Sequence, residues 1–189
     1  MQKDRMLAFS DGVFAVIITI MVLDLKPPAT ATFESLRILW PDLCTYLISF
    51  LYVGIYWNNH HHMLTTAEKI NGKILWANLH LLFWLSLIPF STSWLGQSWP
   101  AGPPIVVYAS VLFMCGIAYS ILQAKIIHLQ GPESELKAAV GNDYKGKLSL
   151  GIYASAIAIS SFSSYAAAIL TALPAAIWFI PDRRIESRY

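Results

Sequence analysis

The sequence has few charged residues for its length. Of its 189 residues, 13% are Asp, Glu, Lys or Arg, whereas 56% are hydrophobic and the mean hydropathy is +0.53. A soluble domain of this size usually carries about 25% charged residues. The 13 basic and 11 acidic side chains nearly balance, which does not indicate a nucleic-acid-binding protein. The composition therefore favours a compact bundle of membrane helices over a soluble domain.

Cysteine is also scarce, and no metal-binding or catalytic pattern is visible. Cys44 and Cys115 both lie in apolar runs, which favours buried thiols over a disulfide or a zinc site. His60, His61 and His62 are consecutive, so on a helix they point about 100° apart and cannot converge on one ion. A pH-sensitive role for them stays open, because histidine titrates near neutrality. Without a Gly-rich phosphate loop, nucleophile elbow or Cys-x-x-Cys pair, we expect no enzyme, metal site or cofactor.

Six apolar stretches predict an all-α integral membrane protein with six transmembrane helices in a single domain, residues 1–189. The last two helices are short and are joined by a serine-rich turn, although one long final helix is the alternative. The predicted stretches are 6–25, 38–59, 74–95, 105–128 and, divided between the two short helices, 148–181. The first stretch ends without a small-residue cleavage site, so we expect a span rather than a signal peptide.

The basic residues predict the orientation of the six spans. With both chain ends on one side, eleven of the 13 Lys and Arg residues lie on that side, and only Lys26 and Arg37 lie on the other. Cytoplasmic loops carry an excess of basic residues, so both termini are predicted to be cytoplasmic. The eleven are Lys3, Arg5, Lys69, Lys73, Lys125, Lys137, Lys145, Lys147, Arg183, Arg184 and Arg188.

A carboxylate, Asp11, lies near the start of the first predicted span, next to Ser10. An ionisable group in a membrane helix is costly unless it faces protein or water, so it needs hydrogen-bond partners. We expect donors at the same depth, at the end of the second span, to form a buried network with Ser10 and Asp11. The candidates are Trp57, Asn58, His60 and His61, with His80 of the third span as a further member. Arg5 lies six residues before Asp11, beyond the usual spacing of paired side chains on a helix, but its long side chain could reach the network.

One face of the first predicted helix is uncharged and carries a single hydroxyl. At 100° per residue it consists of Gly12, Val16, Thr19, Ile20 and Leu23. Such a face could line a narrow pore, since an apolar neck gates by losing its water. The alternative is that these side chains contact lipid or the protein core, as most apolar residues of membrane helices do. The helical periodicity alone does not distinguish a pore-lining face from one that contacts lipid or the protein core.

The pattern Arg5-x-x-x-Phe9-Ser10-Asp11, continuing Gly12-Val13-Phe14-Ala15, resembles the first-helix signature of the transmembrane protein 175 family of potassium channels. The layout of the whole chain is similar to that of the prokaryotic members. The resemblance implies a homotetramer in the plasma membrane of a prokaryote, in contact with lipid, whose four first helices line the path of potassium ions. It also implies the absence of a backbone-carbonyl filter, and no T-V-G-Y-G-like segment occurs here.

The resemblance further assigns roles to single residues. The narrow apolar position, five residues after the motif aspartate, falls on Val16, where family members usually carry the larger Ile or Leu. The pore threonine falls on Thr19, and further apolar rings fall on Ile20 and Leu23. An ion would shed part of its water in this neck, and four hydroxyls would partly replace it, which favours potassium over sodium. The motif residues would support packing and gating rather than bind ions; they are Arg5, Phe9, Ser10 and Asp11.

The main rival function is a secondary transporter of a small solute. Transporters often contain inverted repeats and helices broken in mid-membrane. No internal repeat is visible, although Pro89 could break the third helix. A redox protein that uses the histidines and a scaffold role are further alternatives; the absence of an i, i+4 pair of His or Glu counts against the first.

Overall fold

The computed structural model describes residues 3–131 and 133–179, and over these residues the chain is helical with no strand. The all-α prediction is confirmed. The end of the last predicted stretch and the basic residues Arg183, Arg184 and Arg188 lie outside the described residues. The helices are α1 (Lys3–Leu23), α2 (Phe33–Ile38), α3 (Trp40–Thr65), α4 (Gly72–Ser86), α5 (Ile88–Gln97), α6 (Gly102–Gln130), α7 (Glu135–Val140), α8 (Tyr144–Ile159) and α9 (Ser164–Phe179).

Three helical segments of the described chain are long and apolar enough to cross a membrane. They are Lys3–Leu23, Gly72–Gln97 and Gly102–Gln130, and Ser164–Trp178 is a shorter apolar helix. A span needs about 20 mostly apolar residues, so α1, the α4–α5 pair and α6 each suffice. The long helix α3 carries more polar residues, and α8 is shorter. The count of six spans therefore stays a prediction at this point.

The second predicted helix ended at the polar cluster of residues 58–62, and this boundary is wrong. The helix runs from Trp40 to Thr65, so the cluster lies inside it. Pro41 occupies the first turn, where its missing N–H costs nothing. Polar side chains do not by themselves end a helix, and Asn59 Nδ2 donates to the carbonyl of Ile55, one turn earlier, at 2.8 Å.

The third predicted helix is one span with a break. Asn71 caps its start by accepting a hydrogen bond from the Ile74 N–H at 3.0 Å. The helix ends at Ser86, and α5 begins at Ile88 with Pro89 in its first turn. Proline cannot donate the hydrogen bond that a continuous helix would require. The break at Leu87 therefore follows directly from Pro89.

The last stretch forms two helices, α8 and α9, joined by the serine-rich segment 160–163, as predicted. Pro174 lies inside α9. The next residue, Ala175, is hydrogen-bonded through its backbone to the hydroxyl of Tyr52 on α3. This hydroxyl accepts from the Ala175 N–H at 3.2 Å and donates to the Thr171 carbonyl, the two groups that would otherwise pair within the helix. A side chain of α3 thus takes the place of one backbone bond of α9.

The core of the bundle is built around α6, which packs against α4, α5, α8 and α9. Helix α1 lies to one side, against α3, α4 and α5. Both cysteines are free thiols; Cys115 is buried in α6 and Cys44 is half-buried in α3. The position of α1 at the edge of the bundle leaves one of its faces uncovered, and that face carries the candidate site.

Candidate functional site on the first helix

One face of α1 is fully packed against the rest of the chain. Its five residues are each no more than 3% exposed: Met6, Ser10, Phe14, Ile17 and Met21. They recur every three or four positions, the spacing of one helix face. Because this face points into the bundle, the opposite face of α1 must point away from it.

The opposite face contains the five residues predicted to line a pore. Val16, Ile20 and Leu23 are 53%, 43% and 78% exposed, and Gly12 and Thr19 are exposed as well. The Thr19 hydroxyl donates to the carbonyl of Val16 at 2.9 Å. Its only proton is therefore bound to the helix, and the oxygen presents lone pairs outward. The arrangement is an apolar surface with one outward-facing acceptor.

A groove of about 1030 Å³ runs along this face, between α1 and the α4–α5 segment. Its α1 wall is apolar except for Asp24 at one end. The other wall adds polar groups, among them Ser93, which accepts a hydrogen bond from Gln97 Nε2 at 2.9 Å. The uncovered surface of α1 thus continues onto α5. The groove is lined by Ala8, Phe9, Gly12, Val13, Val16, Ile17, Ile20, Asp24, Ser86, Pro89, Phe90, Ser93, Trp94 and Gln97.

On the packed face, Ser10 belongs to a chain of hydrogen bonds that crosses three helices. Asn78 Nδ2 donates to Ser10 Oγ at 3.0 Å, and Ser10 Oγ donates to the Met6 carbonyl at 2.8 Å. The amide oxygen of Asn78 lies 2.7 Å from His60 Nε2. Because an amide oxygen only accepts, this assignment places the His60 proton on Nε2. The three side chains are at most 2% exposed, so the chain of bonds is inside the bundle.

Asp11, the neighbour of Ser10, is bonded to a different helix. Its Oδ1 accepts a hydrogen bond from Trp57 Nε1 of α3 at 2.9 Å. Asp11 is half-buried and Trp57 is 44% exposed, so this contact lies at the edge of the bundle. Consecutive residues of α1 therefore attach it to two helices, Asp11 to α3 and Ser10 to α4. The attachment fixes the rotation of α1 and with it the direction of the exposed face.

Two of the histidines predicted to join the network lie elsewhere. The His80 ring accepts a hydrogen bond from Trp84 Nε1 at 3.0 Å, one turn along the same helix, so its predicted place in the network is wrong. The reason is that His80 follows Asn78 by two residues and points to another side of α4. The His61 ring lies 6.1 Å from the Trp57 ring, and within residues 3–131 and 133–179 its buried Nδ1 has no hydrogen-bond partner.

The remaining predicted residues are at the surface of the chain. Arg5 and Phe9 are exposed and line a groove of about 410 Å³ with Trp76 of α4. Asn58 is also exposed. In the described part of the chain, no ion pair joins Arg5 to Asp11 and no hydrogen bond joins Asn58 to the network. In the same part, no group of three or more His, Cys, Asp or Glu could hold a metal ion.

Two features of the bundle are not among the predictions from the sequence. Asn78 is the central member of the buried chain, and a lone amide inside the apolar run 74–95 was the available signal. A second buried set consists of hydroxyls: Thr92 Oγ1 donates to Ser49 Oγ at 2.7 Å, and Ser49 Oγ lies 2.8 Å from Tyr108 Oη. These three residues join α5, α3 and α6. Ser, Thr and Tyr are ordinary in membrane helices, so no sequence signal marks these three.

Comparison with known proteins identifies relatives over nearly the whole chain. The sequence profile described as "Endosomal/lysosomal potassium channel TMEM175" matches residues 5–89. A protein of Chryseobacterium sp. (strain P1-3), named a potassium channel, is 52% identical over 186 residues, which is 98% of this chain and 97% of the relative. A protein of Streptomyces collinus with the same kind of name is 30% identical over 149 residues, covering 73% of this chain and 72% of the relative.

A solved structure has the same fold. The crystal structure of a lysosomal potassium-selective channel TMEM175 homolog from Chamaesiphon minutus matches with a TM-score of 0.82 and 26% sequence identity. The match covers 95% of this chain and 97% of that one. The similarity includes the first-helix motif, since the profile begins at Arg5. The chain belongs to the TMEM175 family of membrane channels.

Proposed function

We propose that this chain is one subunit of a potassium-selective channel, in which four copies place their α1 helices around a common axis. The observation that carries the proposal is the uncovered face of α1, which is apolar, lies opposite the packed face and contains Val16, Thr19 and Ile20. The names of the relatives support it, since they describe potassium channels. In the assembly, the exposed faces would turn inward and form the ion path.

The selectivity would come from partial dehydration in an apolar neck. Four side chains each of Val16, Ile20 and Leu23 would form successive rings around the axis, where water is held weakly. Between them, four Thr19 oxygens would offer the lone pairs that their intrahelical hydrogen bonds leave outward. Potassium sheds its water at lower cost than sodium, so these oxygens compensate potassium more completely. A backbone-carbonyl filter takes no part in this proposal.

The motif residues would act by holding α1 in place. Ser10 and Asp11 are bonded to α4 and α3 and point away from the exposed face, so they are not ion ligands in this proposal. Arg5 and Phe9 are exposed at the same end of α1, where a neighbouring subunit could cover them. His60 supports Ser10 through Asn78.

The proposed topology has six spans and both termini in the cytoplasm. The spans would be α1, α3, the α4–α5 pair, α6, α8 and α9, with the last two short. The distribution of Lys and Arg supports this orientation. The channel would lie in the plasma membrane of a prokaryote, surrounded by lipid, with potassium as the permeant ion and with no cofactor and no nucleic-acid partner.

Purified protein in a planar bilayer under a potassium-to-sodium gradient provides the test. The reversal potential should lie near that of potassium, and Thr19→Ala or Val16→Ala should shift it or change the conductance. Val22→Ala is the matched control, because Val22 is also exposed on α1 but lies about 120° from Val16. Wild-type behaviour of both pore variants in a conducting protein would refute the assignment of the pore.

A secondary transporter of a small solute is the second candidate, because the α4–α5 span is broken at Leu87 and transporters often contain broken helices. The two functions differ in rate. Single-channel currents that are resolved in a bilayer require the high ion throughput of a channel. Solute-coupled uptake without resolvable currents would favour a transporter.

A further inference from the structure

A small cavity lies inside the bundle between α3, α6, α8 and α9, away from α1. The space in it that is open to water is about 40 Å³. Its wall contains the rings of four tyrosines and several further polar groups. The polar side chains include Tyr56, Asn59, Tyr119, Ser120, Ser149 and Tyr153.

The Tyr56 hydroxyl is the group that most needs a partner at this cavity. Two other tyrosines of the wall use their hydroxyls directly: Tyr119 donates to the Asn59 carbonyl at 3.3 Å, and Tyr52 bonds to the backbone of Thr171 and Ala175. Among the hydrogen bonds of the described residues, none involves the Tyr56 hydroxyl. This hydroxyl lies 3.9 Å from the position that a Cβ at residue 116 would take, so Gly116 keeps the space beside it open.

Two other groups on the wall are left as acceptors. Asn59 uses one proton of its amide nitrogen on the Ile55 carbonyl at 2.8 Å, which leaves its second amide proton and its oxygen. Ser120 donates its hydroxyl proton to the Gly116 carbonyl at 2.9 Å, which leaves its lone pairs. The wall therefore offers a donor on Tyr56 and acceptors on Asn59 and Ser120. A water molecule, with two protons to donate and an oxygen that accepts, matches this set.

The size of the cavity agrees with the same occupant. A cavity needs roughly 10–15 Å³ of accessible space to hold one water molecule, and the water also needs polar partners, which Tyr56, Asn59 and Ser120 supply within a mainly apolar lining. The Tyr56 side chain lines this accessible space, and a phenolic hydroxyl between membrane helices is unfavourable unless it has a hydrogen-bond partner. A larger organic ligand does not fit in the available space.

We propose that this cavity is a binding site for ordered water, which accepts from Tyr56 and donates to Asn59 and Ser120. The water joins α3 to α6 at a place where these side chains make no direct polar contact with each other. Asp143 and Trp178, at the adjoining ends of α8 and α9, also line the cavity and lie where water would enter. The site is independent of the pore assignment.

The variant Tyr56→Phe tests the proposal by the sign of its effect. If water is bound, the variant loses a hydrogen bond and its Tm falls by about 2–4 °C in a chain of this size. If the cavity is dry, the variant removes an unpaired hydroxyl and its Tm stays the same or rises, which would overturn the proposal. Tyr144→Phe, at a residue that is 78% exposed, is the control and should leave the Tm unchanged.

Radiolytic labelling of the wild-type protein provides a second measurement that needs no variant. An X-ray pulse converts bound water to hydroxyl radicals, which modify the side chains next to it. Mass spectrometry should find Tyr56 and Tyr119 hydroxylated more than Tyr46, which is half-buried as they are but does not line the cavity. Met63, which is 2% exposed and chemically more reactive, should stay unmodified. Tyrosines as unreactive as Met63 would show that the cavity holds no water.

Discussion

The two faces of α1 have a similar composition and opposite surroundings. Each consists of apolar side chains with one hydroxyl, Ser10 on the packed face and Thr19 on the exposed face. Both hydroxyls donate to a carbonyl of their own helix. The difference is on the acceptor side, because Ser10 Oγ receives a hydrogen bond from Asn78 whereas Thr19 Oγ1 faces outward. The same chemical group thus serves packing on one face and is available to a ligand on the other.

The motif residues and the candidate pore residues therefore have separate physical tasks. The packed face and Asp11 fix the rotation of α1 through contacts with α3 and α4. The exposed face is the part of the helix that this rotation leaves uncovered. Substitutions on the two faces should therefore change different measurements, stability for the packed face and ion flux for the exposed one.

The largest difference in stability is expected between the matched variants Ile17→Ala and Ile20→Ala. Ile17 is 3% exposed, so truncation leaves a cavity and costs about 2–5 kcal/mol of stability. Ile20 is 43% exposed, and its truncation should leave the unfolding of the purified protein nearly unchanged while it alters the potassium flux. Thermal unfolding in detergent and liposome flux measure the two effects. Equal losses of stability would mean that both faces are packed.

The next largest effect is expected for Asn78→Ala. This variant leaves His60 Nε2 and Ser10 Oγ without their partner inside the bundle, at a cost of about 1–3 kcal/mol. Asn58→Ala is the matched control, since Asn58 is exposed. Thermal unfolding of the two variants should differ clearly. If Asn78→Ala is as stable as the control, the buried chain of hydrogen bonds does not hold α1.

Removing the hydroxyl of Ser10 or of Thr19 should have smaller effects that differ in kind between the two faces. Ser10→Ala removes the acceptor for Asn78 and should cost about 1 kcal/mol of stability. Thr19→Val keeps the shape of the side chain and should leave stability unchanged, but it should lower the preference for potassium over sodium. The measurements are thermal unfolding and reversal potential. A selectivity change in Ser10→Ala without a loss of stability would contradict the separation of the two faces.

The smallest effect on stability is expected for Trp57→Phe. Its bond to Asp11 lies at the edge of the bundle, where solvent weakens it, so the loss should be about 0.5 kcal/mol. Opening of the channel should be affected more than its stability, because this bond helps to set the rotation of α1. Trp76→Phe, at an exposed residue of α4, is the control. Wild-type currents from Trp57→Phe would show that the bond has no role in gating.

The apolar stretches and the motif made much of the fold predictable. Long apolar runs have few alternatives to helices in a membrane, so the helical segments were recognised from composition. Boundaries were less predictable. The cluster at residues 58–62 was expected to end the second helix because it is polar, yet α3 continues to Thr65. The break at Leu87 was visible in advance only as Pro89.

The membership of the network was predictable only in part. Asp11 needed a partner, and Trp57 at the same depth was among the candidates. Of the histidines, His60 is bonded into the buried chain and His80 is not. His80 follows Asn78 by two residues on α4, which turns its side chain about 200° away from that of Asn78. Asn78 is not predictable as a member, since one amide in an apolar run does not reveal its partners.

The amino-acid pattern is enough to establish an all-α membrane bundle whose first helix has an uncharged face and a carboxylate that needs a partner. Hydrophobicity and the 100° repeat are properties of one helix at a time, and they can therefore be read from the chain. Which face of α1 is packed, and that Asn78, His60 and Trp57 hold it there, follows from the folded bundle alone. Those contacts depend on the rotation and register of neighbouring helices, which are set by packing across the whole bundle.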